Sequence, residues 1–124
     1  KSVCVFCGSR DGSLPEFQEI AIELGRSLAK KGINVVYGGG QVGLMGHLAR
    51  AALREGGHVT GIIPEFLNKR ETRFDEVSQV IETKTLRDRI KQMEQRSDAF
   101  IVLPGGIGTL DELMQMFTMN LLKQ

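Results

Sequence analysis

The decapeptide Leu103 to Glu112 reads LPGGIGTLDE, placing three glycines, a threonine and two carboxylates in one short run. Gly105, Gly106 and Gly108 free the backbone to turn and let amides approach a ligand with no Cβ in the way. Thr109 then opens a helix, where uncovered N–H groups and the helix dipole stabilise an anion, and its hydroxyl adds a further donor. Thr109 and Glu112 also have the spacing of a capping box, in which the threonine caps the N3 amide and the glutamate reaches back to the N-cap amide. On spacing alone, Glu112 fits either a cap or a catalytic carboxylate.

Two further loops are rich in glycine. CGSRDGS contains Gly8 and Ser9, and GGGQVGLMG contains Gly39 and Gly40. Three such loops together point to phosphate. The second also spells a dinucleotide fingerprint at Gly38, Gly40 and Gly43. That fingerprint expects the first strand of a fold and an acidic residue about 20 positions on. Glu65 lies near that distance but follows Pro64, past the end of the third strand, so nicotinamide binding is a weak reading. Tight turning with close helix packing, and contact with a nucleotide's phosphate or sugar, both remain open for this loop.

The elements that must position these loops follow from hydrophobic period. Apolar runs of strand length are expected at Ser2 to Cys7, Ile33 to Tyr37, His58 to Ile63, Gln79 to Glu82 and Ala99 to Leu103. Between them lie segments of helical period. One opens at Pro15 and closes on Gly32 after two lysines, and one runs from Val42 to a stop at Gly56. A third spans Leu86 to Gln95, and a fourth follows Thr109. Pro64 to Asp75 shows no period and is expected as loop or short helix. Strand-helix alternation argues for an α/β fold with a parallel sheet, whose ligands bind beyond the carboxyl ends of the strands. All three glycine-rich loops fall there.

Composition narrows the partners. Sixteen basic against fifteen acidic side chains leave a net charge of +1, which recruits neither a nucleic-acid backbone nor an anionic membrane. No apolar run approaches the roughly 20 residues needed to cross a bilayer, and the N-terminus lacks a signal-peptide layout. A cytoplasmic protein with a small-molecule partner is expected. Cys4 and Cys7 sit in an apolar strand and are expected as core thiols rather than a redox pair. With only His47 and His58 to add, from separate segments, no metal site is expected. Residues 1–124 are expected to form one domain. The start at Lys1 and the stop inside the helical pattern FTMNLLKQ suggest a C-terminally truncated piece of a longer chain.

PGGIGTLDE resembles the PGGxGTxxE signature of the LOG family, cytokinin-activating nucleoside 5′-monophosphate phosphoribohydrolases often labelled lysine decarboxylases. VCVFCGS, VYGGGQVGLMG and MEQRSDAFIVLPGGIGTLDEL are similar to the family's blocks, in order, over nearly the whole chain. The resemblance implies a Rossmann-like nucleotide-binding domain, an open, mostly parallel sheet with helices on both faces. It also implies a homodimer with its site close to the interface, and cleavage of the bond joining a purine to ribose 5-phosphate, with no cofactor.

The family's catalytic pair is an arginine on the helix before the last strand of this block and the glutamate that ends the signature. Carried over without gaps, these fall on Arg89 and Glu112. Many members read M-H-x-R-K around the arginine, whereas this chain reads Leu86-Arg87-Asp88-Arg89-Ile90. Arg87 is therefore a rival. Two positions apart on a helix, the two arginines cannot face one way. Breaking the glycosidic bond develops positive charge on the ribose, which a carboxylate at Glu112 would stabilise while orienting water, with Arg89 keeping Glu112 ionised. A pyridoxal lysine decarboxylase needs a Schiff-base lysine near its phosphate site, and none of the three loops contains one. A different class, nucleotide or molybdenum-cofactor carriage without cleavage, uses the same loops.

Overall fold

A computed structural model describes residues 1–8, 15–67 and 73–103. Strands β1 (Ser2–Phe6), β2 (Asn34–Tyr37), β3 (Val59–Pro64), β4 (Gln79–Thr83) and β5 (Ala99–Val102) form one sheet in the order β4-β3-β2-β1-β5. Every pairing is parallel. Helices α1 (Pro15–Lys30), α2 (Gly43–Arg54) and α3 (Leu86–Gln95) connect them, with a 3₁₀ turn at Glu65–Leu67. The expected strands and helices appear within a residue or two of their bounds. Glu65–Leu67 supplies the short helix in the aperiodic segment. The fourth expected helix lies outside the described residues.

Alternation along each strand divides the core into two layers. Val5, Cys7, Val35, Tyr37 and Val59 face α1 and α2, meeting Ala21, Leu28, Leu44, Leu48 and Ala52. Cys4, Phe6, Val36 and Ile62 face the other way, meeting Ile90 and Met93 of α3. The two cysteines are therefore buried in different layers, outside any disulfide. Handedness explains the arrangement. The chain steps through β1, β2, β3 and β4 in one direction, then returns past β1 to β5, and a right-handed return places α3 on the opposite face.

That reversal creates a switch point between β1 and β5, where open α/β sheets bind ligands. The N–H of Leu103 donates to the carbonyl of Phe6 at 2.8 Å, bringing the end of β5 beside the end of β1. Leu103, the last described residue, thus lies at the switch point. Among the described residues, no helix is long and apolar enough to cross a membrane.

Candidate active site

Local sequence places each helix end where a strand finishes. α3 begins at Thr85, whose hydroxyl accepts the N–H of Asp88 at 3.0 Å. This cap satisfies one of the unpaired amides of the first turn. Arg87 is exposed, while Arg89 is only 7% exposed and points to the strand ends. Its Nε donates to the carbonyl of Ile62 at 2.9 Å, and its Nη2 donates to the carbonyl of Gly38 at 2.6 Å. One side chain thereby ties the end of β3 to the loop after β2.

That loop is tightly determined. The N–H of Phe74 donates to the Gly39 carbonyl at 3.0 Å, and Gly40 forms an isolated antiparallel bridge with Arg73. The Tyr37 hydroxyl donates to the Gly40 carbonyl at 2.7 Å, and Arg50 Nη1 donates to the Gln41 carbonyl at 2.8 Å. α2 starts immediately afterwards from Val42, with no side-chain cap and no acidic residue in its first turn. The N–H of Met45, in that turn, donates to the carbonyl of Gly8 at 3.2 Å, joining the loop after β1 to the same cluster.

Two glycines serve packing here. A Cβ on Gly38 would collide with the Arg89 guanidinium, and one on Gly46 would collide with the Gln41 carbonyl. Gly39, by contrast, takes a φ of 82°, a left-handed conformation that favours glycine at this turn. Part of the glycine pattern in GGGQVGLMG thus makes room for the protein's own groups.

Gly8, Gly39, Gly40 and Arg89 are brought together at the carboxyl ends of β1, β2 and β3. Ser9, Gly105, Gly106, Gly108, Thr109 and Glu112 lie outside the described residues. Tyr37, Arg50 and Phe74 escape a reading of the sequence alone. Tyr37 and Arg50 look like ordinary members of a buried strand and a helix, and Phe74 sits in a segment with no period. Among the described residues, no three His, Cys, Asp or Glu side chains gather as metal ligands. A separate open groove of about 370 Å³ runs along the end of β4 and α3, lined by Glu82, Lys84, Asp88 and Lys91 among others, and its lining includes none of Gly8, Gly39, Gly40 and Arg89.

Burial raises the pKa of the Tyr37 hydroxyl well above its ordinary value of 10.0, with Cys7 adding to the shift and Arg50 opposing it. The folded state favours the neutral phenol, so its contribution to stability is complete below the ordinary pKa and declines as pH rises beyond it. The absorbance difference between wild type and Tyr37→Phe is expected to show no tyrosinate in the folded protein as pH passes through 10.0, and to show it on denaturation. Ionisation of folded Tyr37 at its ordinary pKa would contradict the buried hydroxyl bond.

A parallel open sheet with helices on both faces, and a buried arginine joining β3 to the loop after β2, belongs to the Rossmann-like class of folds. A family profile described as "Possible lysine decarboxylase" matches residues 45–124. The chain belongs to this family, the LOG family. It is 46% identical over 118 residues to the cytokinin riboside 5′-monophosphate phosphoribohydrolase LOG7 of Arabidopsis thaliana, covering 95% of this chain and 54% of that protein. It is 43% identical over 118 residues to the enzyme LOG of Oryza sativa subsp. japonica, covering 95% and 49% respectively. The chain thus spans about half the length of these curated relatives. Among solved structures, the molybdenum cofactor binding protein of Rippkaea orientalis is 26% identical with a TM-score of 0.80, over 96% of this chain and 71% of that one. A structural-genomics target is 30% identical with a TM-score of 0.77, over 96% and 69%.

Proposed function

We propose that this chain acts in hydrolysis of the N-glycosidic bond of purine nucleoside 5′-monophosphates, of cytokinin ribosides or adenosine, releasing free base and ribose 5-phosphate. The observation that carries the proposal is the buried Arg89. It is the residue to which the resemblance carries the family's arginine, and it holds the Gly38 carbonyl in the strand-end cluster. Amides and hydroxyls of Gly105, Gly106, Gly108 and Thr109, with Gly8, Ser9, Gly39 and Gly40, hold the phosphate and sugar. Glu112 stabilises the positive charge that develops on the ribose and accepts a proton from the water that attacks its anomeric carbon, while the bond to the purine nitrogen breaks, its electron pair leaving on that nitrogen, which takes up a proton to become the free base. Arg89 keeps Glu112 ionised by proximity of charge. The chemistry requires neither metal nor cofactor. The active species is a cytoplasmic homodimer whose site lies near the subunit interface.

Phosphate held at a distance from the reacting bond contributes binding energy that positions the sugar. The full-length protein is therefore expected to release adenine from AMP, and the base from isopentenyladenosine monophosphate, with kcat/KM at least about 100-fold above that for adenosine. Chromatographic detection of free base measures this. AMP bound without release of adenine would overturn hydrolysis and favour carriage or binding without cleavage; the Rippkaea orientalis neighbour is named a molybdenum cofactor binding protein.

A further inference from the structure

Four consecutive carbonyls, from Gly38 to Gln41, each accept a hydrogen bond from a different donor: Arg89 Nη2, the Phe74 N–H, the Tyr37 hydroxyl and Arg50 Nη1. A trans peptide is planar, so fixing a carbonyl also fixes the N–H of the next residue on the opposite edge of the same plane. The loop's donors are therefore oriented by side chains that need not touch a ligand themselves. We propose that Tyr37 and Arg50 are positioning residues that set the Gly38–Gln41 loop to receive the sugar-phosphate half of a nucleotide. The proposal rests on the nucleotide reading above.

Tyr37 is fully buried, with its ring in the layer beneath α2 and its hydroxyl on the Gly40 carbonyl. Phenylalanine would fill that core position without burying a polar group, so the hydroxyl's contribution lies in the loop it holds. Arg50 acts on two points at once. Its guanidinium bonds to the Gln41 carbonyl and lies 5.8 Å from the ring centroid of Phe74, whose own N–H holds Gly39. Gly46 leaves the space in which the Gln41 carbonyl sits. A planar guanidinium can both fork to a carbonyl and stack on a ring, which a lysine cannot do.

The test uses full-length wild type, Tyr37→Phe and Arg50→Lys, neither of which changes net charge at neutral pH. Ribose 5-phosphate is titrated by calorimetry, KM and kcat for AMP are measured, and melting temperature is recorded. Loss of one oriented hydrogen bond corresponds to about a fivefold effect. Tyr37→Phe is expected to raise both the Kd for ribose 5-phosphate and the KM for AMP about fivefold, with kcat within about twofold. Arg50→Lys is expected to raise the same two constants about threefold, and supplies the comparison if Tyr37→Phe does not fold. A purely structural role would lower the melting temperature and leave Kd and KM unchanged; that result in both variants overturns the proposal. Failure of wild type to bind ribose 5-phosphate also overturns it. Wild type that binds ribose 5-phosphate yet cleaves no nucleotide overturns only hydrolysis, and the Kd comparison still decides the roles of Tyr37 and Arg50.

Discussion

Glu112→Gln is expected to lower kcat for base release about 10³-fold while AMP binding and melting temperature stay at wild-type values. Two roles are open to Glu112, and the substitution separates them. In a capping box, glutamine serves as well as glutamate, because the N-cap amide needs only an acceptor oxygen. In glycosidic cleavage it does not serve. A neutral amide neither stabilises a ribose carrying positive charge nor accepts a proton from the attacking water. Activity and stability therefore part company if Glu112 is catalytic, and both remain intact if it is only a cap. Calorimetry with AMP, thermal melting and detection of free base distinguish the two. A Glu112→Gln protein releasing adenine at the wild-type rate would remove Glu112 from the mechanism.

Arg89→Ala is expected to lose base release about 10²-fold or more and to destabilise the fold by about 2–6 kcal/mol. The stability loss has a specific origin. Truncation leaves the Ile62 and Gly38 carbonyls without their guanidinium donors in a buried setting, and each orphaned acceptor costs about 1–3 kcal/mol. It also releases the loop from one of its four donors, so binding of AMP weakens together with catalysis. Arg89→Lys restores charge but only a compact ammonium in place of a fork, and is expected to recover part of the stability and little of the rate. Arg87→Ala is the matched control. That side chain is exposed two residues away, so its removal is expected to change stability by less than about 0.5 kcal/mol and leave activity within twofold. Chemical denaturation and AMP turnover measure both. Loss of activity in Arg87→Ala with retention in Arg89→Ala would reverse the assignment.

The elements were legible because their signals are local. Pro15 and Gly32 bracket α1, the Val42 to Gly56 run brackets α2, and Leu86–Gln95 coincides with α3. Hydrophobic period and helix-end chemistry act within a few residues, so they survive in one dimension. The glycine loops were legible for the same reason, and their order along the chain carried the resemblance that joins Arg89 to Glu112. In the segment from Pro64 to Asp75 a loop or short helix was expected, but the contacts of Phe74 were not. Phe74 bonds to Gly39 and supports Arg50, contacts that link residues far apart in sequence and leave no local period.

By itself, then, the sequence determined an α/β chain with three glycine-rich loops, a PGGxGTxxE signature and two rival arginines that cannot face the same way. Tertiary structure decided which arginine turns inward, because the rotation of α3 against Ile62 and the β2 loop is set by packing across the sheet rather than by anything within the helix. It also decided that Gly38 and Gly46 make room for Arg89 and for the Gln41 carbonyl. Finally, it decided that Tyr37 and Arg50 hold the loop. A hydrogen bond from a side chain to a particular carbonyl exists only once both have been brought to the same point in space.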